Sequence, residues 1–278
     1  MPDLHRLRQQ AQRHEHPIPG GALVWHQWSC LDPAAHRPPL VLLHGGSGSW
    51  THWAYCIDAL RQTHELWALD LPGMGDSSLP PDVWDADDLP VWLQDAFAAR
   101  FAPGTFVVVG FSFGGLAAGL WAAQYPHMAQ ALVLVGVPGL GLMGERLPMR
   151  GFTANMTPAQ ERDVHAHNLG VMMLHDTGRI DARMIDLQAE NVARDRMRRR
   201  RIARSDVLVP VSAQWQVPVH AIWGARDSLY EAQLHRVPAV LPQLRSNQYI
   251  AEAGHWVMAE RPDEFVGALM RALGVSSS

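Results

Sequence analysis

The sequence is poor in cysteine. It has 2, Cys30 and Cys56, and neither belongs to a C-x-x-C pair. A disulfide framework and a thiolate zinc site are thereby excluded as the basis of the fold, and a reducing compartment is implied. There is no surplus of one charge, since 23 Lys and Arg stand against 27 Asp and Glu. A net charge of -4 sets up no global field that would draw nucleic acid. Long hydrophobic runs are missing too, and nothing reaches the roughly 18 consecutive apolar residues of a membrane span. The opening Met1-Pro2-Asp3-Leu4-His5-Arg6-Leu7-Arg8 is polar, without the apolar core or the cleavage site of a secretory signal. The expectation is a cytoplasmic protein acting on a small molecule, with no nucleic-acid or membrane partner. Repeats and low-complexity segments are absent, and oligomeric state is unknown from sequence.

What is present is an alternation of apolar runs with helical stretches. Strands are expected at 22–28, 40–43, 66–69, 106–109, 131–137, 217–223 and 247–250. Several are continuous rather than alternating, as in a parallel sheet covered by helices on both faces. The fold class is therefore α/β. The rhythm breaks after Pro138. From 139 to 212 no strand is expected, and helical periodicity runs through 159–176 and 180–202. A structureless loop of such length is improbable. The chain thus divides into a core of 1–138 and 213–278 and a helical cap inserted at 139–212. The arginines of the cap, Arg194, Arg196, Arg198, Arg199, Arg200, Arg201 and Arg204, read as the solvated face of a helix, from which one or two can reach a substrate carboxylate. The serines at 276–278 read as a frayed end.

The stretch Gly110-Phe111-Ser112-Phe113-Gly114 carries the chemistry. It follows an apolar strand and precedes a small-residue helix, the setting in which G-x-S-x-G forms a nucleophile elbow. A serine hydroxyl is a weak nucleophile near neutral pH and needs an adjacent base, itself oriented by a third group. Asp227 and His255 each fall just past a late strand, and the order Ser112, Asp227, His255 suits this kind of site. Acyl transfer also needs donors for the developing oxyanion. The amide of Phe113 is one. The other comes from the loop His44-Gly45-Gly46-Ser47-Gly48, with Gly46 as the best candidate and Gly45 or Ser47 within one residue of it. The loop lacks the spacing of a phosphate-binding motif. Gly45, Ser47, Trp50, Phe111, Met172, Met173 and Trp256 are the expected pocket residues. His165 and His167 stand two apart and face apart on a helix, so no metal is expected there. No metal or cofactor is expected elsewhere either.

These pieces together resemble the α/β-hydrolase superfamily over nearly the whole chain. The likeness rests on His44-Gly45-Gly46, the turn from Asp70 to Ser77, the elbow at Ser112, Trp223-Gly224-Ala225-Arg226-Asp227 and Gly254-His255-Trp256. It implies an eight-stranded, mostly parallel sheet flanked by helices, with a helical lid over a Ser112, Asp227, His255 triad. The 70–77 turn resembles a structural turn of the family. A narrower likeness, in the Gly-rich loop, Gly254-His255-Trp256 and residues 169–176, points to the meta-cleavage product hydrolases, which split C–C bonds. That group usually places Asn before the nucleophile, where Phe111 stands here. It also carries an arginine in the second cap helix, where Gln188 falls. The leading expectation is therefore a carboxylesterase-like serine hydrolase cleaving a small, largely apolar ester through an acyl-enzyme. C–C hydrolysis is the alternative. A non-catalytic ligand-binding module on the same scaffold is the third reading.

Overall fold

The computed structural model describes residues 1–32, 34, 36–197 and 199–275. Arg198 and the serines at 276–278, expected respectively in a helix and as a frayed end, lie outside them. The strands are β1 (Gln12–Ile18), β2 (Gly21–Trp28), β3 (Leu40–Leu43), β4 (Leu66–Asp70), β5 (Val107–Phe111), β6 (Ala131–Val135), β7 (Val219–Gly224) and β8 (Ser246–Ile250). They form one 8-stranded sheet in the order β1-β2-β4-β3-β5-β6-β7-β8. The pairs β1–β2 and β2–β4 are antiparallel, and the rest are parallel.

The apolar runs become central strands because both of their faces are covered. All residues of β3, β5, β6 and β7 are buried. Successive side chains alternate between two cores. Val108, Leu132 and Leu134 join the core on one face, and Val107, Val109, Phe111, Val133 and Val135 join the other. Each such side chain stabilises the fold by about 1.5–3 kcal/mol relative to leaving it in water. β1, by contrast, has no apolar pattern to betray it. Its Gln-Arg-His-Glu-His-Pro-Ile sequence is mostly wet, as suits an edge strand that discourages pairing with other chains.

The register positions the site. Leu43, the last residue of β3, pairs with Gly110, and Phe111, the last of β5, pairs with Val135. The loop after β3 therefore leaves the sheet beside the β5 turn. At the other side Gly224 pairs with Ile250, so the loops after β7 and β8 also emerge together. All four open at the carboxyl ends of parallel strands, where ligands bind in sheets of this kind.

Between β6 and β7 the chain makes a helical excursion with no strand among the described residues. A helix at Pro158–Asn168 starts with a Thr157–Gln160 capping box and runs into a π-helical turn, Leu169–Met173. A second helix spans Ala182–Ala193. The helix expected over 180–202 thus stops at Ala193. Beyond it, backbone amides leave the helical ladder for other acceptors: Arg196 N–H donates to the Gly73 carbonyl (2.8 Å), Met197 N–H to Asp195 Oδ1 (3.0 Å) and Arg201 N–H to Asp85 Oδ2 (2.6 Å). Short acidic side chains compete with helix in this way. The described arginines from 196 to 201 therefore belong to a strap laid on the core, with Arg204 in the short 3-10 turn Ile202–Arg204 that follows, and not to one charged helix face.

Candidate active site

Ser112 sits between β5 and the helix Phe113–Gln124 with φ 49° and ψ −118°. This is a backbone region that side-chain-bearing residues rarely occupy, at a cost of order 1–3 kcal/mol. Two glycines make the turn possible. A β-carbon on Gly110 would lie 2.6 Å from Gly115 Cα, and one on Gly114 would lie 2.4 Å from the His44 carbonyl oxygen. With no side chains there, helix and strands close together beneath the serine.

His255 Nδ1 donates to Asp227 Oδ2 at 2.6 Å, which leaves Nε2 to accept from Ser112 Oγ at 2.9 Å. Asp227 and His255 are both buried. The second Asp227 oxygen, Oδ1, accepts from Leu229 N–H at 2.9 Å, so the carboxylate is held on both sides. The histidine loop is pinned from below by Glu260, a buried carboxylate that accepts from the amides of Gly254 and Asp176. Nothing in the sequence pattern singled out Glu260. Tyr230 packs 6.1 Å from the His255 ring. Burial and then the nearby Asp227 push its phenol well above the usual range, so it stays neutral.

The loop after β3 is held by two neutral histidines. His44 donates from Nδ1 to the Gly45 carbonyl (2.8 Å) and accepts at Nε2 from Leu71 N–H (2.9 Å). His52 accepts at Nδ1 from Gly45 N–H (3.2 Å), so its proton resides on Nε2. Burial depresses both pKa values, and His52 is lowered further by the neighbouring His44 and His255. The amides of Gly46 and Phe113 make no hydrogen bond among the described residues, and both residues border the cavity above Ser112. Ser47, at φ 48°, donates from Oγ to Asp195 Oδ2 at 2.6 Å. Asp195 also binds the Arg200 guanidinium, whose Nε lies over Gly46. Asn191 joins the same contact, exchanging hydrogen bonds with Ser49 and Thr51. The excursion therefore touches the Gly-rich loop directly.

The cavity at Ser112 holds about 520 Å³. Of the expected pocket residues, Gly45, Ser47, Phe111, Met172 and Met173 border it. Trp50 and Trp256 do not. Trp50 turns to the sheet and packs 5.4 Å from Trp28, and Trp256 lies behind His52, donating to the His52 carbonyl at 2.8 Å. Trp53 is likewise buried, against Phe111 and Phe265. Arg200 and Arg204, two of the cap arginines from which a substrate contact was expected, also line it, together with Met143, Arg146, Leu147, Met149 and Leu229, which the sequence did not single out. Their placement depends on how the excursion folds back, for which the sequence carries no periodic signal.

His26, Asp70 and Asp76 are the described residues that cluster with metal-ligand spacing, their atoms within 4.8 Å of one another. Both Asp70 oxygens are already engaged by backbone amides, Oδ1 by Trp50 (2.7 Å) and Oδ2 by Asp76 (2.9 Å). Asp76 in turn pairs with Arg194 at 2.7 Å. These bonds make the cluster a brace for the 70–77 turn.

With this geometry in view, the comparisons with known proteins are informative. Residues 40–268 match the alpha/beta hydrolase family, and the chain belongs to it. Among similar curated proteins is the dihydrolipoyllysine-residue acetyltransferase component of the acetoin cleaving system of Cupriavidus necator, 26% identical over 249 residues. That alignment covers 84% of this chain and 63% of the relative, so the chain spans less than two thirds of that protein's length. A 2-hydroxy-6-oxononadienedioate/2-hydroxy-6-oxononatrienedioate hydrolase of Paraburkholderia phymatum is 24% identical over 259 residues, covering 87% of this chain and 89% of the relative. Among solved structures, naproxen esterase from Bacillus subtilis superposes with a TM-score of 0.72 at 19% identity, over 95% of this chain and 91% of that one. That likeness shows the fold. No helix among the described residues is long and apolar enough to cross a membrane.

Proposed function

We propose that this chain is a serine hydrolase that cleaves a small, largely apolar carboxylic ester through an acyl-enzyme. The observation that carries the reading is the continuous chain of hydrogen bonds from Ser112 Oγ through His255 to Asp227, at 2.9 and 2.6 Å, at the floor of an open cavity. In this mechanism Ser112 attacks the ester carbonyl as His255 Nε2 takes its proton. The amides of Gly46 and Phe113 hold the oxyanion, where one donor is worth about 100-fold or more in turnover. His255 then returns the proton to the leaving alcohol. Water, activated by the same nitrogen, releases the acid and restores Ser112. Asp227 keeps the imidazole oriented and stabilises its charged form. Residues 139–212 serve as the cap that shapes the acyl and alcohol pockets. The test is labelling by a fluorophosphonate together with turnover of short p-nitrophenyl esters. Ser112→Ala is expected to abolish labelling and to lower turnover by about 10⁴-fold or more, and unchanged turnover in the pure variant would overturn the reading.

Likeness to the Paraburkholderia phymatum hydrolase favours a second reading, C–C hydrolysis of a ring-opened aromatic catabolite. Against it stands the cavity wall, where the apolar Phe111 ring borders the space and Gln188 does not. A 2-hydroxy-6-oxo-dienoate absorbs visible light, so its bleaching on addition of enzyme decides between the two.

A further inference from the structure

The arginines that border the catalytic cavity also belong to a second hollow. Arg146, Arg200 and Arg204 line the space above Ser112, and the same three with Arg199 and Arg201 border an adjoining open hollow of about 780 Å³. The second space shares these three arginines as walls with the first. Its lining is made wholly of guanidinium-bearing residues, in a chain whose net charge is -4. Elsewhere several arginines are paired with acids, as in Arg6–Asp58, Arg162–Asp186, Arg194–Asp76 and Arg226–Glu231. Here, among the described residues, one carboxylate serves five arginines, Asp195 with Arg200. Arg204 gives one nitrogen to the Gly144 carbonyl (2.7 Å), and Arg199 lies 4.6 Å from the Trp84 ring. Neither contact neutralises charge. A run of like charges on an open surface is ordinarily just solvated. These guanidiniums instead meet around a hollow that shares walls with the space above Ser112, and a cleft of one sign concentrates counter-charge from solution.

Between the serine and this outer ring the cavity wall is apolar, made by Met143, Leu147, Met149 and Leu229. We propose that the outer ring is an anion subsite, and that the substrates are esters or thioesters whose far end carries a carboxylate or a phosphate. The apolar stretch of such a molecule lies along the methionine-rich wall, and its oxyacid end meets Arg146 and Arg204. A guanidinium fork matches the paired oxygens of either group, and the charge-assisted bonds are about twice as strong as neutral ones. Arg200 is committed to Asp195 and acts as the inner edge of the ring. This inference rests on the ester-hydrolase reading for the identity of the scissile bond, but the binding of the anionic end does not require turnover.

The decisive experiment uses Ser112→Ala, which cannot form the acyl-enzyme, and calorimetric titration with three intact esters. They are methyl octanoate, monomethyl suberate and methyl 8-(phosphonooxy)octanoate. At low salt the two anionic esters are expected to bind about tenfold more tightly than the neutral one, and the gap is expected to narrow as salt screens the ring. Whichever of the two gains more identifies the natural end group as carboxylate or phosphate. In the same background, Arg146→Gln and Arg204→Gln are each expected to shrink the gap, and Arg204→Lys to keep part of it. Equal binding of charged and neutral esters at low salt overturns the subsite, as does a gap that survives the double glutamine variant. Failure of the hydrolase reading looks different: the anionic esters still bind more tightly, but Ser112 takes no fluorophosphonate and the native protein turns over none of the three.

Discussion

Residue by residue, position 112 shows how the site is held. The serine occupies backbone angles that favour glycine, and it does so because the glycines at 110 and 114 let strand and helix close beneath it. Gly114→Ala therefore drives a methyl against the His44 carbonyl, which is backbone and cannot rotate aside. We expect a loss of about 1–3 kcal/mol, measured by urea unfolding, together with a fall in activity as the elbow shifts. Asp227→Asn removes the carboxylate that fixes the His255 tautomer while keeping nearly the same volume. Turnover of p-nitrophenyl butyrate is expected to drop by roughly 10³–10⁴-fold with little change in melting temperature. A drop smaller than about tenfold would mean that another group orients the imidazole. Both positions were legible in the sequence, because an elbow and a late histidine have local signatures. Glu260 and His52 were not legible. Their partners are a loop amide six residues back and a Gly-rich loop seven residues back, and no motif encodes either bond.

The elements differ in how openly the sequence declares them. β3, β5, β6 and β7 are readable as apolar runs because burial on both faces leaves no room for polar residues. β1 escapes notice because an edge strand is free to be polar, and it gains its place from pairing with β2. The arginine run misleads in the opposite direction. Arginine is a good helix former, yet the helix ends at Ala193 because the next amides find acceptors in Gly73, Asp195 and Asp85. The bonds to Gly73 and Asp85 are long-range, and periodicity cannot see them. Trp50 and Trp256 show the same blindness, since a tryptophan beside a catalytic motif can face the cavity or the core equally well by spacing. The strap makes one sharp prediction. Asp195 accepts from Ser47 and binds Arg200, so Asp195→Asn weakens both contacts at once. We expect kcat for a neutral ester to fall about tenfold as the loop carrying Gly46 loosens, with KM nearly unchanged. A purely structural strap would lower the melting temperature and leave the kcat of the folded fraction intact.

For the whole molecule, pH acts through buried imidazoles. His44 and His52 are held neutral by burial, and their pKa values lie below those of an unfolded chain. As pH falls through about 6.5 the unfolded chain takes up protons that the native state refuses, so stability present above that pH is lost below it. Each histidine contributes a loss of about 1.4 kcal/mol per pH unit until it too is protonated. The melting temperature is expected to be flat from pH 7 to 8 and to fall steadily from 6.5 to 5, followed by calorimetry, and His52→Phe is expected to flatten part of that slope. A last consequence comes from the bond between Ser47 and Asp195, which joins the loop carrying Gly46 to a strap that also holds Arg200. On the proposed mechanism, any substrate that steadies the strap also steadies the amides proposed to hold the oxyanion. Affinity gained far from the carbonyl is then spent in the transition state, and shortening a substrate at its distant end should slow the chemical step more than it weakens binding.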